Sequence, residues 1–198
     1  LLRRRSRGAP AAARRLAEML TALGRTGEAE TWTTEGKRVA ASIRRVFWDA
    51  DTGLFRAATH RNREPDIWGS AFAVYLGVAD AAQAKRIAAY FKDRYTEIVQ
   101  DGQVRHLPGG VYWEQGCTPD TYQNGGYWAT PTGWFVYVLN LVDPALADRT
   151  VIDLVTSFQK TGACEWVFGE TRVLPNYLAS AALPLAGIRE MLKYRERP

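Results

Sequence analysis

Hydrophobic positions recur along the chain at the three- and four-residue spacing of α-helices, and this pattern predicts seven helices. Asp66 and Asp80 lie at the N-cap positions of two predicted helices. Pro10 is suited to the first turn of the first predicted helix. The predicted helices span residues 10–24, 28–48, 66–78, 80–99, 130–142, 144–160 and 176–194.

Two kinds of helix alternate in the middle of the chain. Residues 66–78 and 130–142 are apolar on nearly every face, and such helices must be buried all round. Residues 80–99 and 144–160 are amphipathic. The inner helices of a toroid contact only other helices, whereas every helix of a simple helical bundle has one face exposed to solvent. The alternation therefore predicts an all-α fold, an α/α toroid of helical hairpins that makes about half of an (α/α)6 barrel.

Two long loops separate the predicted helices. Residues 100–126 are rich in glycine and aromatic residues, which argues against disorder, and residues 161–175 are punctuated by glycine. Loops of this length in compact domains are usually functional or disordered. The segment Asp49–Gly53 is similar to the start of a calcium loop, but its twelfth position is His60 instead of glutamate, so an Asx turn is predicted.

Length and composition predict one folded domain. The chain has 198 residues, 46% of them hydrophobic, which is enough for a sizeable core. It lacks an apolar run of about 18 residues, so no membrane partner is expected. Cys117 and Cys164 are predicted to be free thiols, and with His60 and His106 they show no spacing typical of a metal site.

The net charge of +5 originates at the N-terminus. The first fifteen residues hold six arginines and no acid, so the rest of the chain carries a net charge of −1. Aromatic residues do not interleave with these arginines, so no nucleic-acid partner is expected. We divide the chain into a basic N-terminal arm or truncated helix at residues 1–9 and a helical-hairpin domain at residues 10–198. Because the chain begins with Leu1, we expect it to be part of a longer protein, either cytoplasmic or secreted.

Aromatic side chains are concentrated between residues 112 and 137, where eight of 26 residues are aromatic. Exposed indole and phenol rings offer apolar platforms with polar rims, which suit the face of a sugar ring. Gln123 and Asn124 lie among them, and amides both donate to and accept from hydroxyls. The aromatic candidates in this segment are Trp113, Tyr122, Tyr127, Trp128 and Trp134.

Glycoside hydrolysis needs two carboxyl groups, one as acid and one as base or nucleophile. Glu114 follows Trp113, and Glu165 precedes Trp166, so both acids have aromatic neighbours within a loop. Asp66 lies two residues before Trp68. A rival chemistry is a uronate lyase, in which His106 would be the base beside Arg105.

Several of these segments resemble the six-hairpin glycosidases. They are residues 121–128 with Gly133-Trp134, residues 66–71, Glu165-Trp166 and residues 176–181. The resemblance runs over most of residues 28–192 and implies an (α/α)6 toroid, often inverting chemistry and no cofactor. Glu165 matches the position of a late catalytic carboxylate, commonly the base. Toroids of this superfamily need about twice this length, and their partner acid often lies in the earlier half.

We therefore expect a glycoside hydrolase fragment with Glu165 as general base. The general acid would be Glu114 or a residue of a missing N-terminal half, and the substrate would be an oligosaccharide or glycoside. The alternatives are a non-catalytic carbohydrate-binding toroid and a uronate polysaccharide lyase. The expected substrate-binding residues are Asp66, Trp68, His106, Trp113, Tyr122, Gln123, Asn124, Tyr127, Trp128, Trp134 and Trp166.

Overall fold

A computed structural model describes residues 3–196, with side chains from residue 8 onward. The helices are α1 (Arg3–Ala22), α2 (Thr26–Phe47), α3 (Ile67–Tyr75), α4 (Ala81–Asp93), α5 (Tyr95–Ile98), α6 (Thr132–Leu139), α7 (Pro144–Thr161) and α8 (Leu178–Arg195). The strands are β1 (Trp48–Asp49), β2 (Leu54–Phe55), β3 (Val99–Gln100), β4 (Gln103–Arg105), β5 (Tyr127–Trp128), β6 (Trp166–Phe168) and β7 (Thr171–Val173). The expected basic arm at residues 1–9 is described only in part: residues 1 and 2, and the side chains of residues 1–7, lie outside the described residues. The backbone of residues 3–9 belongs to α1.

The predicted N-caps are confirmed. Asp66 accepts a hydrogen bond from the Gly69 amide at 2.7 Å. Asp80 forms a capping box with Gln83, in which each side chain accepts from the other residue's amide. The expectation for Pro10 is wrong, because α1 begins at Arg3 and carries this proline in its interior.

The helices form two layers. In the first layer α1 packs against α3, α3 against α6, and α6 against α8. In the second, α2 lies along α1, α4 contacts α3 and α6, and α7 contacts α6. The two helices predicted to be buried all round, α3 and α6, occupy the centre of the first layer, and their side chains belong to the main core. Among residues 3–196, the structure has no helix with the length and apolar surface that a membrane span requires.

The expectation of an all-α fold is wrong in part, because the described residues also form two antiparallel sheets. Strands β1 and β2 make a hairpin whose turn contains the predicted Asx contact, from the Asp51 amide to Asp49 at 3.1 Å. The other five strands pair in the order β3-β4-β5-β6-β7. Each strand has only two or three residues, which is too short to show the alternation of polar and apolar positions that predicts a strand.

The five-stranded sheet lies at the N-terminal ends of α3, α6 and α8. The amide of Ile67, at the start of α3, donates to the carbonyl of His106 at 3.0 Å. The Thr132 hydroxyl, at the start of α6, donates to the carbonyl of Gly102 at 2.9 Å. Just before α8, the Tyr177 amide donates to Ala163 at 2.8 Å. The segments preceding α3, α6 and α8 therefore meet at one end of the helical layer.

Helices α6 and α8 cross in close contact at two glycines. A Cβ atom at Gly187 would clash with the backbone of Gly133, and one at Gly133 would clash with the carbonyl of Pro184. Because the neighbours are backbone atoms, a side chain at either position requires the helices to separate.

We expect Gly187→Ala to lower the free energy of unfolding by about 1–3 kcal/mol, the usual cost of overpacking. Gly27→Ala is the matched control, since Gly27 lies in α2 and a Cβ there meets nothing within 4 Å. Urea unfolding of both variants measures the difference. Equal stability of the two variants would contradict the close crossing.

Candidate functional site

Four buried residues form the floor of the site at the start of α3. Oδ1 of Asp66, which also caps the helix, lies 3.2 Å from Nε2 of His106. The His106 ring stacks on Trp68 with centroids 4.2 Å apart, and Trp128 meets Trp68 edge to face at 5.7 Å. These four residues are between 3% and 8% exposed. They therefore serve as a support for the loops above them.

The loop of residues 112–126 is folded around Asn124. The Asn124 side chain is buried; it accepts from the Trp113 amide at 2.7 Å and donates to the carbonyl of Cys117. The Asn124 carbonyl accepts from the Asp120 amide at 2.9 Å. Asn124 thus fixes both ends of this loop, and Trp113 is brought against His106 with ring centroids 4.9 Å apart.

Tyr122, Gln123 and Trp166 form the more accessible part of the site. Tyr122 is 39% exposed and has a left-handed backbone with φ of 47°. Its carbonyl accepts from the Trp128 indole at 3.1 Å, which anchors the turn to the floor. Gly126 permits the close approach of Trp166, because a Cβ at Gly126 would lie 2.9 Å from that indole ring. Gln123 and Trp166 are both half-buried.

Glu165 immediately precedes β6, an inner strand of the sheet, and lies between the buried Cys164 and the half-buried Trp166. Its amide donates to the carbonyl of Val173 at 2.8 Å, so the β6–β7 hairpin fixes its backbone. The residue is half-buried, and among the described residues none donates to its carboxylate or forms an ion pair with it. A carboxylate in this setting is available to water or to a ligand.

Glu114 has a different environment. It is exposed, and its amide donates to Oε1 of Glu64 at 3.2 Å. The next residue, Gln115, exchanges two hydrogen bonds with Asn62, at 2.8 and 2.9 Å. These contacts hold the backbone of Glu114 on the loop that precedes α3. They link the loop of residues 112–126 to the loop before α3. Among the described residues, Glu114 makes no hydrogen bond to Glu165.

Two of the predicted binding residues also stabilise the scaffold. Trp134 lies in α6 and packs on Phe72 with ring centroids 4.5 Å apart. Tyr127 lies in β5, and its hydroxyl donates to the carbonyl of Glu97 at 3.4 Å. Its ring also lies 5.8 Å from the guanidinium carbon of Arg105.

Asp120 has no aromatic neighbour next to it in the sequence, but the structure brings it together with Arg105 and Tyr112. Oδ1 of Asp120 accepts from Tyr112 at 2.9 Å and lies 3.3 Å from Nη2 of Arg105. Arg105 comes from β4, fifteen residues earlier, so local sequence carries no sign of the contact. The one available signal was the position of Asp120 two residues before Tyr122.

No protein-family model matches the sequence, and no curated protein matches it. Among solved structures, the chain is similar to the GH63 mannosylglycerate hydrolase of Thermus thermophilus, whose crystal structure contains glucose. The TM-score is 0.62 and the sequence identity is 17%, over 89% of this chain and 45% of that chain. The likeness shows a shared fold, and this chain spans slightly less than half the length of that hydrolase.

We expect Asn124→Ala to loosen the loop, because it removes the partners of the Trp113 amide and the Cys117 carbonyl. Buried polar groups left unpaired cost about 1–3 kcal/mol each. Hydrogen exchange of the Trp113 amide should accelerate strongly. The control is Gln123→Ala, whose side chain makes no hydrogen bond to the described residues. Unchanged exchange in Asn124→Ala would show that the loop is held in another way.

Proposed function

We propose that the chain carries part of the active site of a glycoside hydrolase, with Glu165 as the general base. The observation that carries the proposal is the half-buried Glu165 carboxylate, which has no partner among the described residues and stands beside Trp166. The fold shared with the GH63 mannosylglycerate hydrolase supports this reading, as does the position of Glu165 in the segment that leads through the β6–β7 hairpin into α8.

The chemistry assigns a distinct task to each accessible group. In an inverting mechanism the base removes a proton from water while the water attacks the anomeric carbon, and an acid protonates the leaving oxygen. Glu165 is the base in this scheme. Trp166 and Tyr122 offer aromatic faces for the sugar ring, and Gln123 offers an amide for its hydroxyls.

The general acid is either Glu114 or a residue from outside this segment. Glu114 is exposed and is fixed only through its backbone, so it fits a role in which a substrate or a further chain segment covers it. A general acid from outside this segment is consistent with the length of the GH63 hydrolase, because the match covers only 45% of that chain. Under both alternatives Glu165 keeps its role.

We further propose that helices from an N-terminal half of the same protein complete the toroid. Helix α8 ends the first layer, and three leucines at seven-residue spacing remain exposed along it. This spacing marks one face of a helix. The exposed leucines are Leu178, Leu185 and Leu192.

A non-catalytic carbohydrate-binding protein is the second candidate. The exposure of Glu114 favours it, because an exposed carboxyl group lacks the apolar setting that raises the pKa of a general acid. A uronate lyase is less well supported: His106 is 8% exposed and lies between Trp68 and Asp66. A base in that position has little access to a polymer.

We expect Glu165→Gln to lower kcat/KM for glycoside hydrolysis by at least ~100-fold, the typical contribution of an acid–base group. Release of sugar from aryl glucosides, aryl mannosides and mannosylglycerate measures the rate. Glu170→Gln is the matched control, since Glu170 is an exposed glutamate in the turn of the same hairpin.

An unchanged rate in Glu165→Gln would refute the assignment of the base. Sugar binding that persists in this variant, combined with no turnover in the wild type, would favour the non-catalytic candidate.

A further inference from the structure

We propose that Asp120 is a ligand-contacting carboxylate that accepts a hydrogen bond from a sugar hydroxyl, and that Arg105 and Tyr112 position it. The inference rests on the proposed carbohydrate site and adds to it a residue that determines sugar specificity. Asp120 lies on the same turn as Tyr122 and Gln123, two of the accessible residues of the site.

The two oxygens of Asp120 have different environments. Oδ1 accepts from the Tyr112 hydroxyl at 2.9 Å and from Nη2 of Arg105 at 3.3 Å. Among the described residues, none donates to Oδ2, and the side chain is 39% exposed. One oxygen therefore anchors the carboxylate while the other remains available to an incoming donor.

Arg105 is an unusually buried arginine for such a contact. Its side chain is 7% exposed and lies close to the rings of Tyr112 and Tyr127, at 5.6 and 5.8 Å from the guanidinium carbon. Its Nε is buried and has no partner among the described residues. Burying a cation in this way costs free energy. A surface carboxylate that only held the loop in place would offset little of this cost.

The backbone of Asp120 is also held in a costly conformation. Its φ is 61°, in the left-handed region that non-glycine residues seldom adopt. Gly125 makes this turn possible, because a Cβ at Gly125 would lie 2.7 Å from Cα of Asp120. Left-handed residues maintained by their surroundings cluster at ligand sites, since the strain fixes the direction of a side chain.

The charge balance identifies the kind of ligand. Arg105 already compensates the charge of Asp120, so the pair does not call for a cation. A neutral hydroxyl can donate to Oδ2, and hydrogen bonds to a charged acceptor are stronger than those between neutral groups. Together with the amide of Gln123, this arrangement suits adjacent hydroxyls on one sugar.

Asp120→Asn tests the proposal, because asparagine keeps an acceptor oxygen for Tyr112 and tolerates the left-handed backbone, but places an amide where Oδ2 was. Asp101→Asn is the matched control. Asp101 also has a left-handed backbone, with φ of 53°, and an arginine partner, Arg172, at 2.9 Å, but it lies in the β3–β4 turn. The measurement is a titration of each purified protein with glucose, followed by the chemical shifts of the indole N–H groups.

We expect Asp120→Asn to weaken glucose binding roughly tenfold or more, the usual effect of losing a hydrogen bond to a charged group. Asp101→Asn should bind like the wild type. Asp120→Asn should unfold at a lower temperature than the other two proteins, because it removes the charge that compensates the buried Arg105, so all titrations are made well below that transition. Tyr112→Phe, which removes one positioning donor, should weaken binding by a smaller factor.

Wild-type affinity in Asp120→Asn would overturn the inference and leave the proposed function intact. Equal weakening in Asp120→Asn and Asp101→Asn would also overturn it, because the effect would then be general. A wild-type protein whose indole signals do not respond to glucose would overturn both the inference and the proposed carbohydrate site.

Discussion

The close crossing of α6 and α8 is the constraint on which the position of the site depends. Gly133 and Gly187 leave no room for a side chain between the two helices. Strand β5 leads into α6, and the β6–β7 hairpin leads into α8, so the crossing also sets the distance between these strands. A wider crossing would draw Trp166 away from Gly126, where the two residues now touch. The helical scaffold thereby controls the loops that carry the candidate chemistry.

Above this scaffold the polar and aromatic residues divide into two groups. Asp66 and His106 are buried and hydrogen-bonded close to the start of α3, and they hold the loops in position. Tyr122 is exposed and Glu165 is half-buried, so a ligand can reach both side chains. Such a division is physically reasonable, because a ligand must be able to reach the group that binds it, whereas the group that orients it must be held by packing and hydrogen bonds.

The sequence was informative about helices and less so about contacts between distant segments. The apolar helix at residues 66–78 and the cap at Asp66 could be predicted, since both depend on local spacing and on one side chain. The five-stranded sheet could not, because β5 and β6 are short and pair across 40 positions, from Tyr127 to Val167. The contact of Asp120 with Arg105 could not be predicted for the same reason, because the two residues meet only through the fold.

The proposed sugar-binding site is formed by the segments that precede α3, α6 and α8. A crystal structure of this chain soaked with glucose would test this proposal. We expect electron density for one sugar ring in contact with Tyr122 and Trp166 and within hydrogen-bond distance of Glu165 or Asp120. Density at the opposite ends of these helices, or none near those residues at saturating glucose, would contradict it.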